Sequence, residues 1–223
     1  MKSRYAASEG DRLLREDLTR EGIRLARSLA DLMPDEPEAL GLLALMLLHD
    51  ARRRTRVDTA GDLVLLNAQD RAQWDHDLIA EGAELLQRAL RRRQPGPYQV
   101  QAAIAACHAT APTAAETDWR QIVGLYDQLL TMTPTPFVRL NRAVAVAMAD
   151  GAGVALPLID ALADGPLQRH HLLHATRAEL LTRLERWNDA AAAYRLAVER
   201  TTTEPERRHL HRRLNAITSR PLQ

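Results

Sequence analysis

Asp70-Arg71-Ala72-Gln73-Trp74-Asp75 puts two acids, an arginine and a tryptophan into six residues, and only part of that set is needed to start a helix. Asp70 followed three residues later by Gln73 resembles a capping box, the acid reaching forward to free amides and the glutamine reaching back. A helix begun there places Arg71, Trp74/Asp75 and Leu78 near one face. Two readings stay open. One is a helix start whose Trp74 covers the core. The other is a recognition surface, on which the charged ends of Arg71 and Asp75 meet another protein.

Other residues with chemical potential are weaker candidates. His170 and His174 stand four apart, a spacing that suits a metal, but no glutamate follows the first histidine and no third ligand is near in sequence. A polar helix edge beside core-facing Leu172 and Leu173 explains them better. Cys107-His108 sits in an alanine-rich stretch without an evident third group for nucleophilic catalysis. Glycine-rich phosphate loops, a G-x-S-x-G elbow and paired catalytic carboxylates are all missing. The basic runs Arg52-Arg53-Arg54-Thr55-Arg56 and Arg91-Arg92-Arg93 each fall where a helix should end, so dipole compensation accounts for them without a ligand. The chain therefore reads as non-enzymatic, with no cofactor and no metal.

Composition narrows the class. Thirty basic residues against 29 acidic give a net charge of +1, so no bulk field marks a nucleic-acid binder. A single cysteine excludes an internal disulfide and fits a reducing compartment. The longest apolar run, residues 39–48, is too short to span a bilayer, and Met1-Lys2-Ser3-Arg4-Tyr5 has no apolar stretch behind its basic residues. The expectation is a cytoplasmic protein. One phenylalanine in 223 residues leaves the core to leucine and alanine, which favour helices.

The elements that must position these residues read as helices in pairs. Residues 11–33 carry Leu14, Leu18, Ile23/Leu25, Leu29 and Leu32 at helical intervals, and Pro34-Asp35-Glu36-Pro37 ends that period. Residues 38–53 are apolar nearly all round and predict a central helix covered on most sides. Residues 57–66 suit a short β-hairpin around Ala60-Gly61-Asp62. Helices are then expected over 70–93, 98–110, 118–132, 137–149, 154–163, 165–184, 188–199 and 204–217. Trp119 and Trp187 lie 187 − 119 = 68 residues apart, and so do Tyr126 and Tyr194, twice the 34 residues of a tetratricopeptide (TPR) unit. Glu21-Gly22 and Glu81-Gly82 give a fainter echo. The fold expected is all-α, a TPR-like stack of helical hairpins in one domain, its halves near 11–110 and 118–218.

Several ordered motifs carry a family resemblance. They are Tyr5-Ala6-Ala7-Ser8 with Gly10-Asp11-Arg12-Leu13, the stretch 32–52 from Leu32-Met33-Pro34 to His49-Asp50-Ala51-Arg52, and Asp70-Arg71 with Trp74-Asp75. Gly96-Pro97-Tyr98-Gln99-Val100-Gln101, Asp118-Trp119, Asn141-Arg142-Ala143-Val144 and His171-Leu172-Leu173-His174-Ala175 follow in order. From about Tyr5 to its end the chain resembles the TPR-like C-terminal extension of extracytoplasmic-function (ECF) sigma factors. In that family the extension follows two helical domains that bind DNA and polymerase, and the sequence before Tyr5 is too short to hold either. The resemblance thus implies a regulatory, protein-interaction role towards sigma core domains and RNA polymerase, without promoter recognition by this chain. It places the interaction on Asp70, Arg71, Trp74 and Asp75, which match a motif of that extension, with His49, Asp50 and Arg52 as second candidates. The alternative is a free-standing TPR-like scaffold that binds a peptide or protein outside transcription.

Overall fold

Prolines and capping side chains decide where most of the helices begin. Pro37, Pro97 and Pro136 each take a first helical position, where a missing N–H leaves nothing unsatisfied. Asp75, Asp118 and Thr135 cap their helices by accepting hydrogen bonds from amides three residues on. The computed structural model describes residues 9–219, and of residues 9–15 the backbone alone. Tyr5 to Ser8, and the side chains of Gly10 to Leu13 and of Leu14, lie outside the described residues. Among those described there are ten α-helices and no β-strand, so the chain is all-α.

Two compact units share the chain. The first takes residues up to Thr55 and then 70–116; the second takes 56–69 and everything from Thr117. Residues 56–69 lie with the second unit although the first flanks them on both sides in sequence.

The first unit holds α1 (Glu9–Leu32), α2 (Pro37–Asp50), α3 (His76–Arg91) and α4 (Pro97–Ala109). As its apolar circumference predicts, α2 is the centre, with α1, α3 and α4 all packed on it. The Glu-Gly echo has a structural meaning. A Cβ on Gly22 would come within 3.0 Å of Met46, and one on Gly82 within 2.9 Å of Leu48, so both glycines admit α2. The leucine period of α1 behaves otherwise than its spacing suggested. Ala26 and Ala30 are buried, while Leu18, Leu25, Leu29 and Leu32 stay exposed, because the small residues give the closer approach.

The second unit holds α5 (Trp119–Met132), α6 (Pro136–Ala149), α7 (Ala152–Asp160), α8 (His171–Arg183), α9 (Trp187–Arg200) and α10 (Glu204–Thr218). Neighbours in sequence pack on one another throughout, a stack of helical hairpins. The 68-residue period is real in three dimensions. Trp119 opens α5 and Trp187 opens α9, and α6 and α10 also begin 204 − 136 = 68 residues apart. On α9, Ala190, Ala191, Ala193 and Ala197 are buried beside Tyr194, small residues admitting neighbours around one aromatic wedge. The Tyr194 hydroxyl donates to Glu179 Oε2 at 3.0 Å, and Arg213 reaches the same carboxylate. Burial pushes Glu179 up, but Arg213 and the tyrosine hydroxyl outweigh it and hold its carboxyl below the usual range.

Two expected elements take another form here. In place of a helix over 165–184, turns run to His170, whose imidazole accepts from Leu172 N–H and starts α8 at His171. In place of a hairpin over 57–66 there is one isolated antiparallel bridge between Val57 and Leu63. Two such short arms lack the cross-strand burial a hairpin needs in water. No described helix is long and apolar enough to cross a membrane.

Candidate interaction site

Residues 70–75 form two capped turns in succession, not one helix start. Asp70 caps a single 3-10 turn, Arg71–Gln73, by accepting from Ala72 N–H at 3.0 Å. Gln73 does not reach back to the Asp70 amide as a capping box requires; its side-chain amide donates to the Asp70 carboxylate at 2.9 Å. Trp74 then leaves helical geometry, and Asp75 caps α3 by accepting from Leu78 N–H at 3.1 Å. The Asp75 amide donates to Ala51 O at 3.0 Å, tying this joint to the end of α2. Arg71 and Asp75 therefore share no helix face, and the sequence expectation of one is corrected: the chain breaks between them at Trp74.

Trp74 is only 3% exposed, and its indole N–H donates to Thr55 Oγ1 at 3.0 Å. A buried tryptophan needs that partner for its one donor. Arg71 turns inward too. Its guanidinium lies over the Trp74 ring, 4.6 Å from the centroid, and donates to His108 O and, at 2.8 Å, to Ala111 O. Those carbonyls belong to the last turn of α4 and the residues just beyond it, where a cation meets the negative end of the helix dipole. Partial burial pulls the Arg71 pKa down without neutralising it.

The opposite end of α4 is closed by the opposite charge. Gly96, its N-cap, has no side chain, so Glu38 of α2 supplies the acceptors. Glu38 accepts from Tyr98 N–H at 2.9 Å and from Gln99 N–H at 3.0 Å. A Cβ on Gly96 would stand 2.2 Å from Glu38 Cδ, so this contact requires glycine. The motif stretches 32–52, 70–75 and 96–106 thus meet around one helix, held by an anion at its start and a cation at its end.

Beside this joint lies a cleft of about 150 Å³ walled by Asp50, Arg53, Arg54, Gln73, Trp74 and Asp75. The Asp50 side chain is 11% exposed; its Oδ1 takes no hydrogen bond from the described residues, and Arg53 stands 3.5 Å away. Asp75 is exposed at the cleft mouth, as is Gln73. Of the second candidates, Asp50 lines the cleft, while Arg52 donates to His49 Nδ1 at 3.1 Å. His108 lies among like charges. Burial first, then Arg52, Arg71 and His49, push its pKa down to about 4.

The remaining sequence candidates are placed apart from this site. His170 and His174 do not converge: His170 caps α8 and meets the Phe137 ring edge-on at 4.9 Å, and His174 Nε2 bonds Gln168 O at 2.7 Å. Among the described residues no group of three or more His, Cys, Asp or Glu is placed to hold a metal. Cys107 is a half-buried thiol. The basic run 91–93 sits at the end of α3, as its sequence position suggested, and Arg92 donates to Asp35 at 2.8 Å.

Sequence reasoning missed the Glu38–Gly96 clasp and the inward turn of Arg71, because the partners lie far along the chain. It had a signal for the start of α3. Trp74 before the cap acid Asp75, with Ile79 five residues on, is the pattern of a hydrophobic staple, and both apolar residues are buried.

Fold and site define an all-α chain of packed helical hairpins whose first unit carries a charged cleft. Residues 2–90 match a family described as of unknown function, DUF6596. The chain is 41% identical over 217 residues to an uncharacterized protein of Rhizobium meliloti (strain 1021), a match that takes in 97% of this chain and 51% of the relative. It thus spans about half the length of that curated relative. No solved structure matches.

Proposed function

We propose that this chain is the regulatory, protein-interaction portion of an ECF-type RNA polymerase sigma factor, acting on sigma core domains and RNA polymerase to control transcription initiation. It does so without catalysis, cofactor or promoter contact of its own. The observation that carries the reading is the meeting of the resembling motifs. Stretches 37 to 61 residues apart in sequence close on α4 through Glu38 and Arg71, so the matched residues build one structural unit. Charge balance supports the exclusion of promoter binding, since the basic runs stand at helix ends in a chain of net charge +1. A relative of which this chain spans about half suits a hairpin stack that works beside another portion of a longer protein.

Within this reading Arg71 and Trp74 shape the site, while Asp75, Gln73 and Arg54 at the cleft mouth meet the partner, with Asp50 beneath them. The test is binding of the purified chain to purified sigma core domains and to RNA polymerase, beside a reporter assay with the chain rejoined to a sigma core. Expected is specific binding that Asp75→Asn weakens about tenfold while thermal unfolding stays unchanged. Binding to neither would sink the proposal and leave a scaffold with a partner outside transcription.

A further inference from the structure

The segment 56–69 has no α-helix or strand and, alone among the joints of this chain, leaves the unit that flanks it in sequence. Fourteen residues with only the Val57–Leu63 bridge and one 3-10 turn, Leu66–Ala68, are long for a passive connection. None of them is fully buried, Leu63, Val64 and Leu66 being half-buried, so no fully buried apolar residue fixes the segment where it lies.

A charged anchor does. Asp58 Oδ1 accepts from Ala60 N–H and from Asp62 N–H, both at 2.9 Å, and the turn passes through Gly61 at φ +76°, a conformation that favours glycine. That turn presents Asp62 to α10. Arg208 donates to Asp62 Oδ1 at 2.6 Å and to Gly61 O at 3.1 Å, and Arg212, one helical turn on, donates to Asp62 Oδ2. Hydrogen bonds from Arg208 and then Arg212 hold the Asp62 carboxyl below its usual range. The two arginines, i and i+4 on one helix, thus grip both oxygens of a single carboxylate.

We infer that the Arg208–Arg212 pair is a carboxylate-binding clamp which Asp62 fills in cis, and that an acidic segment of a partner protein competes for it by displacing the 56–69 strap. Three observations point to exchange in place of permanent closure. Both arginine side chains stay about half exposed while Asp62 is 17% exposed, and water reaching the arginines weakens their hold on the carboxylate. The strap has nothing fully buried to resist its release. The helix is also basic, with four arginines against two glutamates; Arg207 is engaged by Glu204 and Arg213 by Glu179, which leaves Arg208 and Arg212 facing the strap. The ligand class follows: an extended acidic peptide with an aspartate or glutamate at the position of Asp62. This inference does not rest on the sigma-factor reading and applies equally to a free-standing scaffold.

The test uses the full chain and an end-blocked synthetic peptide of residues 56–69. Hydrogen exchange of the strap amides and peptide binding are measured in the wild type, in Asp62→Asn, and in Asp62→Asn carrying Arg208→Gln and Arg212→Gln. Expected in Asp62→Asn is exchange at least about tenfold faster, confined to the strap, and peptide binding about tenfold tighter than to the wild type, weakening with salt. The triple variant should lose that binding while keeping its helical content, and Arg212→Gln with Asp62→Asn should lose part of it. Unchanged strap exchange in Asp62→Asn would overturn the latch. No peptide binding to Asp62→Asn, or equal binding to the triple variant, would overturn the clamp. Stronger binding of a single-stranded oligonucleotide than of the peptide would overturn the assignment to a protein partner.

Discussion

Arg71 and Trp74 form one structural piece: the guanidinium lies 4.6 Å from the indole centroid while its N–H groups close the end of α4. The stack holds the side chain in place, and the carbonyls of His108 and Ala111 fix its direction. Removing either member releases the other, so their contributions to stability should not add.

Arg71→Ala leaves two carbonyls at a helix end without their cationic donor and should destabilise the chain by about 2–3 kcal/mol. Arg71→Lys should recover less than half of that, because an ammonium neither forks nor stacks as a guanidinium does. Urea unfolding of both variants checks this. A loss for Arg71→Ala within about 0.5 kcal/mol would show that the inward contacts carry little weight.

At Trp74 two substitutions separate packing from the hydrogen bond. Trp74→Ala opens a large cavity at a 3% exposed position and should cost about 3–5 kcal/mol. Thr55→Val keeps the tryptophan and removes the acceptor of its indole N–H, leaving a buried donor unmet, a loss of about 1–3 kcal/mol. Near-equal losses in the two variants would contradict the division.

Asp75 can be split in the same way. Asparagine caps a helix about as well as aspartate, so Asp75→Asn should hold stability within about 0.5 kcal/mol, whereas Asp75→Ala should lose about 1 kcal/mol. Thermal unfolding reads the cap, and partner binding reads the charge. If both variants bind a sigma core as the wild type does, the cleft mouth is not where the partner docks.

What could be read from sequence and what could not divides along chain distance. The course of α2 was legible because an all-apolar circumference demands neighbours on every side, and the second unit was legible through Trp119/Trp187 and Tyr126/Tyr194, which recur with the stack. The start of α3 is ambiguous in the sequence because Asp70 and Asp75 are both capping residues, and the structure opens the long helix at the second. The sequence places His170 inside a helix for a similar reason: imidazole is an uncommon cap, and Gly165-Pro166 offers a more usual start. The sequence leaves open an outward-facing Arg71 because its acceptors are backbone carbonyls 37 and 40 residues further on, groups that every residue possesses and no pattern marks. Residues 57–66 suggest a hairpin because their apolar content resembles a strand pair, while the contact that places the strap, Asp62 on Arg208 and Arg212, acts across 146 and 150 residues.

The clasp at the start of α4 predicts a thermodynamic coupling. Gly96→Ala drives a Cβ into Glu38, whose carboxylate is pinned by the Tyr98 and Gln99 amides, so the substitution displaces the cap as well as crowding it. A loss of about 1–3 kcal/mol is expected. Glu38→Ala alone should lose about 1–2 kcal/mol through the missing cap. In the double variant the alanine at 96 no longer meets a side chain, so the combined loss should fall at least about 1 kcal/mol short of the sum. Strict additivity in that cycle would mean that the two residues do not act on one another.

His108 gives the pH dependence of the first unit. Burial, with Arg52, Arg71 and His49 around it, lowers its folded pKa to about 4, against roughly 6.5 for an unfolded histidine. Between those values the unfolded chain binds the proton and the folded chain does not, so protonation favours unfolding. The contribution is fully present above about pH 6.5 and is lost as the pH falls towards about 4. Because the imidazole keeps some contact with water, the loss should be on the order of 1–2 kcal/mol, less than the full shift would imply. Carboxylates titrate in the same range, so the comparison that isolates His108 is a difference of differences. Urea unfolding at about pH 7 and about pH 4.5 is compared between the wild type and His108→Gln, which cannot titrate. The wild type should lose about 1–2 kcal/mol more than the variant over that interval. Equal losses in the two proteins would show that His108 takes up its proton in the folded state as readily as in the unfolded one, and that Arg71 and Arg52 exert no field upon it.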